Sequence, residues 1–423
     1  MSLVRITQQQ LNERIQKHVM FRVARMGGAR AILAYHDLTR LDLSGHDLSH
    51  ADFTGALLCY ADLHDTKLDY ATLFGADLRF ANMQNASLVR ADMRGVCMRG
   101  AILANADMTG VDLREGMMSR SDGTYIVPGE TELVQGGSGV ADLSGANLSQ
   151  ARLSGAVANN CDFRDATMRG CHIVRANLQG VNMSGVNLEG ADFSMCDVKG
   201  ANLTGAILMN VTTTMTRLHE AIIKDALTDE ARGPTIKDLP LPITEYMNVH
   251  RAWLSSDGKK GRRFEVDRFD LRKAPSFAHS FLSMMRGQET LLYGLDFSFV
   301  QMQAADMRGA DLRHVNFSGA DIRGSDFAGA NLSNANLQGI RMQPLELTGG
   351  RLMVTSLARA SLRFANLSSS NLSSVDFTGA DLTGANFLGS EISSAVFTNA
   401  KLTGARMTAA QRKIVSGSEG TGL

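Results

Sequence analysis

The chain has 423 residues, enough for two or three domains of ordinary size. Hydrophobic residues make up 44% but aromatics only 6%, with 41 Gly against 6 Pro, so a core must be thin and filled by small and aliphatic side chains. The 43 basic and 43 acidic residues balance, which removes any general drive toward nucleic acid or an anionic membrane.

The N-terminal stretch MSLVRITQQQLNER lacks the apolar region of about 7–15 residues that marks a secretory leader, and no run approaches the roughly 18 apolar residues of a membrane span. Five cysteines without a CxxC pair fit a reduced, cytoplasmic protein. Residues 1–35 read as a helix and cap. Leu11, Ile15, Val19, Val23 and Met26 form a stripe at about four-residue steps, stopped by Gly27 and Gly28. Arg5, Arg14, Lys17, Arg22, Arg25 and Arg30 stand against Glu13. The segment is expected to cover the end of the structure that follows; a basic helix touching an anionic surface is the alternative, and a dimer contact a third.

From residue 36 a five-residue rhythm takes over, as in ADFTGALLCYADL or ADLTGANF. A Leu, Phe or Met centre recurs from Leu38 to Leu113 in 16 units, from Leu143 to Leu208 in 14, and from Phe297 to Met407 in 23. Two residues before each centre is a small slot, usually Ala; Cys161, Cys171 and Cys196 occupy it too. Between them stands Asp, Asn or Ser. A period of five smears apolar positions around an α-helix and alternates faces on a strand. It suits a coil in which each unit is one side and every centre points to the axis. The Asp, Asn, Ser and Gly positions are residues that tolerate corners.

These units, A(D/N)LXX, resemble the pentapeptide-repeat family. The resemblance covers about three fifths of the chain and implies an all-β solenoid, a right-handed quadrilateral β-helix with four units, 20 residues, per coil. The core would include Leu38, Phe53, Leu143, Phe297, Phe317, Phe377, Phe387 and Phe397. Two columns are expected: residues 36–211 with an insertion at 114–140, and residues 291–407. In the second, Phe297, Phe317, Leu337, Leu357, Phe377 and Phe397 would stack 20 apart, as would Phe327, Leu347, Leu367 and Phe387.

Arg114–Val140 carries β-type runs around Pro128-Gly129, a hairpin that would leave the column and return. Tyr125, Ile126, Val127, Pro128 and Glu130 are its candidate contacts, and Arg14, Lys17 and Arg22 are those of the N-terminal helix. Residues 212–290 read as a connector and second cap: a helix in TRLHEAIIKDALTDEARG, an extended GPTIKDLPLPIT, and a short helix in SFAHSFLSMMRG with Ser276 as its N-cap. Leu11–Leu38 parallels Glu245–Leu271, with His18 and Phe21 matching His250 and Trp253 and Arg30 matching Arg263, which suggests a duplicated cap. Residues 408–423 read as a short helix opened by Thr408 and a Ser/Gly-rich disordered tail.

There is no Walker loop, no GxGxxG opening a helix, no HExxH and no GxSxG, so neither an enzyme nor a cofactor is expected. His36 and His46 fall in inward slots and His50 and His64 in outward ones, so they should not converge on a metal. Met83, Met93, Met98 and Met108 read as core filling. The expectation is a non-enzymatic scaffold or adaptor binding a protein partner, with homo-oligomers left open. The resemblance adds an alternative, since some quinolone-resistance members bind DNA gyrase as DNA mimics. Charge argues against it: B-DNA carries a charge per about 1.7 Å, so a column of roughly 35 Å would need on the order of 20 net negatives. The three arrays hold 11 acids and 6 bases, 6 and 5, and 9 and 9. Nucleic acid is therefore disfavoured as a partner, and a membrane surface is left to the N-terminal helix.

Overall fold

The computed structural model describes residues 3–116, 118–119, 125–126 and 140–416. The chain forms two compact units, Met1–Asp229 and Glu230–Leu423. Each is a repeat β-helix. Isolated parallel β-bridges join residues one coil apart, as Asp42 to Asp62 and Asp381 to Lys401. The rung is repeated by backbone pairing: Leu43 N donates to the Asp62 carbonyl at 2.7 Å and Asp62 N to the Leu41 carbonyl at 2.9 Å. Four centres per coil point inward. Leu38, Phe53, Leu143, Phe297, Phe317, Phe377, Phe387 and Phe397 are each 0–1% exposed. From the small slot Cys161, Cys171, Ser325 and Thr66 each donate to a carbonyl of the coil before.

In the first unit β1 (Val4–Arg5) pairs in parallel with β2 (His36–Asp37), and α1 (Gln8–Arg22) follows β1. Thr7 opens α1 with a capping box on Gln10. The helix buries Leu11, Ile15 and His18, while Val19, Val23 and Met26 of the expected stripe are exposed. Gln8 closes the open sheet edge. Its amide nitrogen donates to the Asp42 carbonyl at 2.7 Å, and its oxygen accepts from Asp42 N at 2.9 Å. The coil leaves after Leu113 and returns at Ala141, so Asp107 meets Arg152, 45 residues on. In the insertion β3 (Met118–Ser119) pairs antiparallel with β4 (Tyr125–Ile126). This pair lies on the N-terminal side of Pro128-Gly129; Val127, Pro128 and Glu130 fall outside the described residues.

The expected helix after residue 216 is instead one 3₁₀ turn, Leu218–Glu220, followed by further rungs in which Ile222 bridges Asn202 and Leu227 bridges Ile207. Likewise SFAHSFLSMMRG is not helical: Phe277 and Leu282 are inward centres and Phe281 bridges Gln301. Inward Phe277 and Leu282 interleave with outward Phe281 and Met284, which mimics helical spacing. The second unit's coils therefore begin near Phe264 rather than at 291.

Its array also slips. β5 (Leu345–Glu346) and β6 (Leu352–Met353) pair as a hairpin, and beyond it Asn336 is joined to Asn366, 30 residues on. Ten extra residues are two whole units, so the rhythm hides them. Leu337 consequently stacks against Leu367 and Phe327 against Leu357, while Leu347 lies half-buried outside the column. An amide ladder crosses the slip unbroken: Asn316, Asn336, Asn366 and Asn386 each donate to the residue before, starting from Asp296. Phe277, Phe297 and Phe317 stack at 4.7 and 5.1 Å. The C-terminal α3 (Ala409–Ser416) is opened by Thr408, whose hydroxyl accepts from Gln411 N. Gln411 Nε2 donates to the Phe387 and Ser390 carbonyls, closing that edge. Residues 417–423, where the disordered tail was expected, lie outside the described residues.

The two caps share the same bonds around one histidine. Ala31 N donates to His18 Nδ1 at 3.0 Å, and Phe264 N donates to His250 Nδ1 at 3.0 Å. His18 Nε2 meets the Ser49 carbonyl and His250 Nε2 the Ser283 carbonyl, both at 3.1 Å. Phe21 stacks on His18 and Trp253 on His250. Arg30 Nε donates to the His50 carbonyl at 2.6 Å, and Arg263 Nε to that of Met284. A Cβ on Gly28 or Gly261 would strike the helix backbone at 2.3 or 2.2 Å. In the second unit α2 (Ile243–Ser255) holds the α1 position, and Thr235 bridges Asp270 as β1 bridges β2.

Because Nδ1 accepts a backbone N–H in both caps, Nε2 must carry the ring proton, and each ring is neutral. Burial lowers both histidine pKa values, outweighing the Ser49 and Ser283 carbonyls, which favour the cation. The unfolded chain then binds more protons than the folded one below about pH 6.5, so stability falls as pH drops through that value. Thermal melts from pH 7.5 to 5 should show this loss. His18→Gln and His250→Gln should each flatten the profile while lowering stability at pH 7.5. His64, whose pKa is raised by the hydrogen bond its Nδ1 donates to the Asp62 carboxylate, contributes with the opposite sign in both wild type and variants. A second expectation concerns the slip: deleting residues 344–353 should restore a 20-residue coil and leave a cooperative melt within a few degrees of wild type.

Candidate interaction surface

Where Asp or Asn stands between slot and centre, the corner is an Asx turn. Asp42 Oδ1 accepts from Ser44 N, Asp142 from Ser144 N and Asn331 from Ser333 N. The last residue of the turn has positive φ, a conformation that costs a non-glycine residue roughly 1–2 kcal/mol. Glycine fills many such corners, yet Tyr60, Tyr70, Phe80, Phe299 and Phe364 take φ of 55–59°. Bulky rings at strained, outward corners are sites where selection for something other than stability is to be sought.

These rings form columns. The Arg40 guanidinium lies 5.4 Å from the Tyr60 ring, and Tyr60 and Phe80 stack at 5.2 Å. His50 stacks on Tyr70 at 5.2 Å, and His279 on Phe299 at 5.2 Å. Tyr70 is 48% and Phe299 56% exposed. Phe80, Phe299 and Phe364 are each followed one coil on by a glycine, because the ring lies flat over that corner, whereas Tyr70 is followed by Arg90. A Cβ on Gly100 would come within 2.6 Å of Phe80, on Gly319 within 2.5 Å of Phe299, and on Gly384 within 2.5 Å of Phe364. Sequence reading missed these columns, although aromatic and glycine residues 20 apart in one outward slot were there to find.

Charge on the faces is largely neutralised in place. In DxR units the arginine folds back two residues: Arg79 on Asp77, Arg164 on Asp162, Arg308 on Asp306 and Arg323 on Asp321. The Arg308 hydrogen bond holds the Asp306 carboxyl below its usual range. Burial alone would raise Asp321, but Arg323 pulls it below normal.

Among the expected contacts, Arg14 donates to the Ile32 carbonyl and Arg22 pairs with Asp47 at 3.5 Å, so both are engaged in cap contacts. Lys17 is exposed. Tyr125 and Ile126 lie in β4. His36 and His46 are not inward, as their slots suggested: His36 is half-buried and His46 exposed, since an imidazole is too large for an alanine slot. Among the described residues no His, Cys, Asp or Glu group is placed to hold a metal ion. A groove lined by Gln8, Asn12, Asp42 and His46 is the seam where α1 meets the first coil. All five cysteines are free; burial pushes Cys171 up to about 12 and Cys196 up to about 11, so neither is a nucleophile at neutral pH.

The family model for pentapeptide repeats matches in 8 copies, at residues 37–73, 71–110, 141–173, 171–210, 301–339 and 370–408. Similar solved structures include HetL, a pentapeptide repeat protein involved in heterocyst differentiation regulation from Nostoc sp. strain PCC 7120, at 19% identity over 91% of this chain and 95% of that one, with TM-score 0.16. Full-length QnrB1, a plasmid-mediated fluoroquinolone resistance protein, is 20% identical over 47% of this chain and 92% of its own, with TM-score 0.20. A pentapeptide repeat protein of the Arabidopsis thaliana thylakoid lumen is 28% identical over 31% and 75%, with TM-score 0.14. No curated protein matches.

Gly100→Ala should displace the Phe80 ring and cost about 1–2 kcal/mol in denaturant unfolding. Phe80→Ala in the same background should return part of that loss, giving a non-zero coupling in the double-mutant cycle.

Proposed function

The chain belongs to the pentapeptide-repeat family, and we propose that it is a non-enzymatic cytoplasmic scaffold or adaptor whose outward faces bind a protein partner. We take each unit to be the right-handed, four-sided form of the fold. The observation that carries the proposal is the set of exposed aromatic columns at strained corners, Arg40–Tyr60–Phe80 and His279–Phe299 above all. Aromatic and arginine side chains supply large, rigid contact area and are favoured at the centres of protein interfaces. A stiff column also presents them at fixed spacing, so little ordering cost is left for the moment of binding.

Gyrase modulation by DNA mimicry is the weaker reading. A mimic needs uncompensated carboxylates at phosphate-like spacing, whereas the DxR pairs of Asp77, Asp162, Asp306 and Asp321 cancel the acids where they stand.

The test compares wild type with Tyr60→Ala/Phe80→Ala and with Phe299→Ala in affinity capture from the native host followed by mass spectrometry. The variants should melt within a few degrees of wild type and lose a partner that wild type retains. An identical partner set for all three proteins sinks the aromatic-column reading. Inhibition of gyrase supercoiling by sub-micromolar protein would put the mimic reading in its place.

A further inference from the structure

The duplicated cap offers an internal control for what the fold requires. His18, Phe21 and Gly28 correspond to His250, Trp253 and Gly261, and the hydrogen bonds around them are the same in both units. By their helix C-caps Val23 corresponds to Ser256, and the turn that follows is one residue longer in the second cap, Trp253 to Gly261 against Phe21 to Gly28. The second cap makes its turn over Ser256–Gly261 without any apolar side chain. The apolar side chains of the first cap are therefore not needed to build it. They are also not buried by it: Val23 is 68% and Met26 90% exposed.

These residues stand in a compact tip. Ala29 N donates to the Lys17 carbonyl and Arg25 N to the Met20 carbonyl, which folds residues 23–29 back onto the end of α1. Gly27, at φ 82°, makes the reversal. Val19 and Phe21 add further exposed apolar surface. Lys17 and Arg25 are exposed and have no ion pair or side-chain hydrogen bond among the described residues. Arg22, beside them, is only loosely tied to Asp47 at 3.5 Å.

An apolar tip flanked by Lys17 and Arg25, cations with no ion pair among the described residues, matches one kind of surface in charge and chemistry. We propose that the tip at residues 17–26 is an interfacial anchor for an anionic lipid bilayer, with Val23 and Met26 entering the headgroup–acyl boundary and Lys17 and Arg25 meeting lipid phosphates. Nucleic acid would account for the cations but leave Met26 and Val23 in water; the bilayer accounts for both. The anchor is separate from the aromatic columns and does not depend on their role.

Co-sedimentation of the full chain with vesicles tests this. Binding is expected with equal parts phosphatidylcholine and phosphatidylglycerol, not with phosphatidylcholine alone, and should weaken as salt is raised. Val23→Asp/Met26→Asp and Lys17→Glu/Arg25→Glu alter exposed positions, so both should fold with wild-type melts. Each should weaken binding by about tenfold or more. Absence of binding to either vesicle overturns the proposal. So does binding that Val23→Asp/Met26→Asp leaves unchanged, and if duplex DNA then displaces the vesicles, the cations belong to nucleic acid. Loss of vesicle binding with protein capture intact would leave the scaffold reading standing.

Discussion

The hydrogen bond from each rung to the next coil is what the rest of this molecule depends on. Leu43 N to the Asp62 carbonyl, and Asp62 N back to the Leu41 carbonyl, repeat along each unit. A backbone that pairs only with the coil above and below must advance by a constant amount per turn. That condition sets the other features. The centre must face the axis, the slot two residues earlier must be small, and the corner must turn through positive φ. A buried backbone group left unpaired would cost a few kcal/mol, so the pattern tolerates substitution of side chains far better than a change of coil length.

The same condition makes the ends a liability, because the first and last coils have no neighbour. The chain answers with side chains that imitate backbone. Gln8 supplies both halves of an amide pair to Asp42, and Gln411 donates to the Phe387 and Ser390 carbonyls. His18 and His250 bridge α1 or α2 to the coil through both ring nitrogens. With each cap so fully determined by its hydrogen bonds, residues that add nothing to it stand out, as Val23 and Met26 do. The aromatic corners stand out for the same reason: glycine would be cheaper there in strain, yet Tyr60, Phe80 and Phe299 are present.

Much of the fold was legible from residues alone, because inward side chains repeat in sequence at the period of the rung. Leu38 and Phe387 could be assigned to the interior without coordinates. The errors arose where two periodicities overlap. In SFAHSFLSMMRG the inward Phe277 and Leu282 combine with the outward Phe281 and Met284 into an apparent helix. The hairpin of Leu345–Glu346 and Leu352–Met353 was invisible because its ten residues keep the five-residue phase. The outward aromatic columns were missed for a different reason. Outward slots are free to vary, and a lone Tyr60 or Phe299 carries no signal until residues one coil apart are seen stacked.

The repeat, its inward and corner slots, and the existence of two related caps can be read from the residues alone, since each follows from local chemistry recurring at fixed intervals. Which coil each unit joins, where the column slips, and which outward rings meet emerge only in the folded chain. Those are relations between residues 20, 30 or 45 apart. They are set by which backbone groups pair between coils, a choice that a five-residue motif repeated identically leaves open.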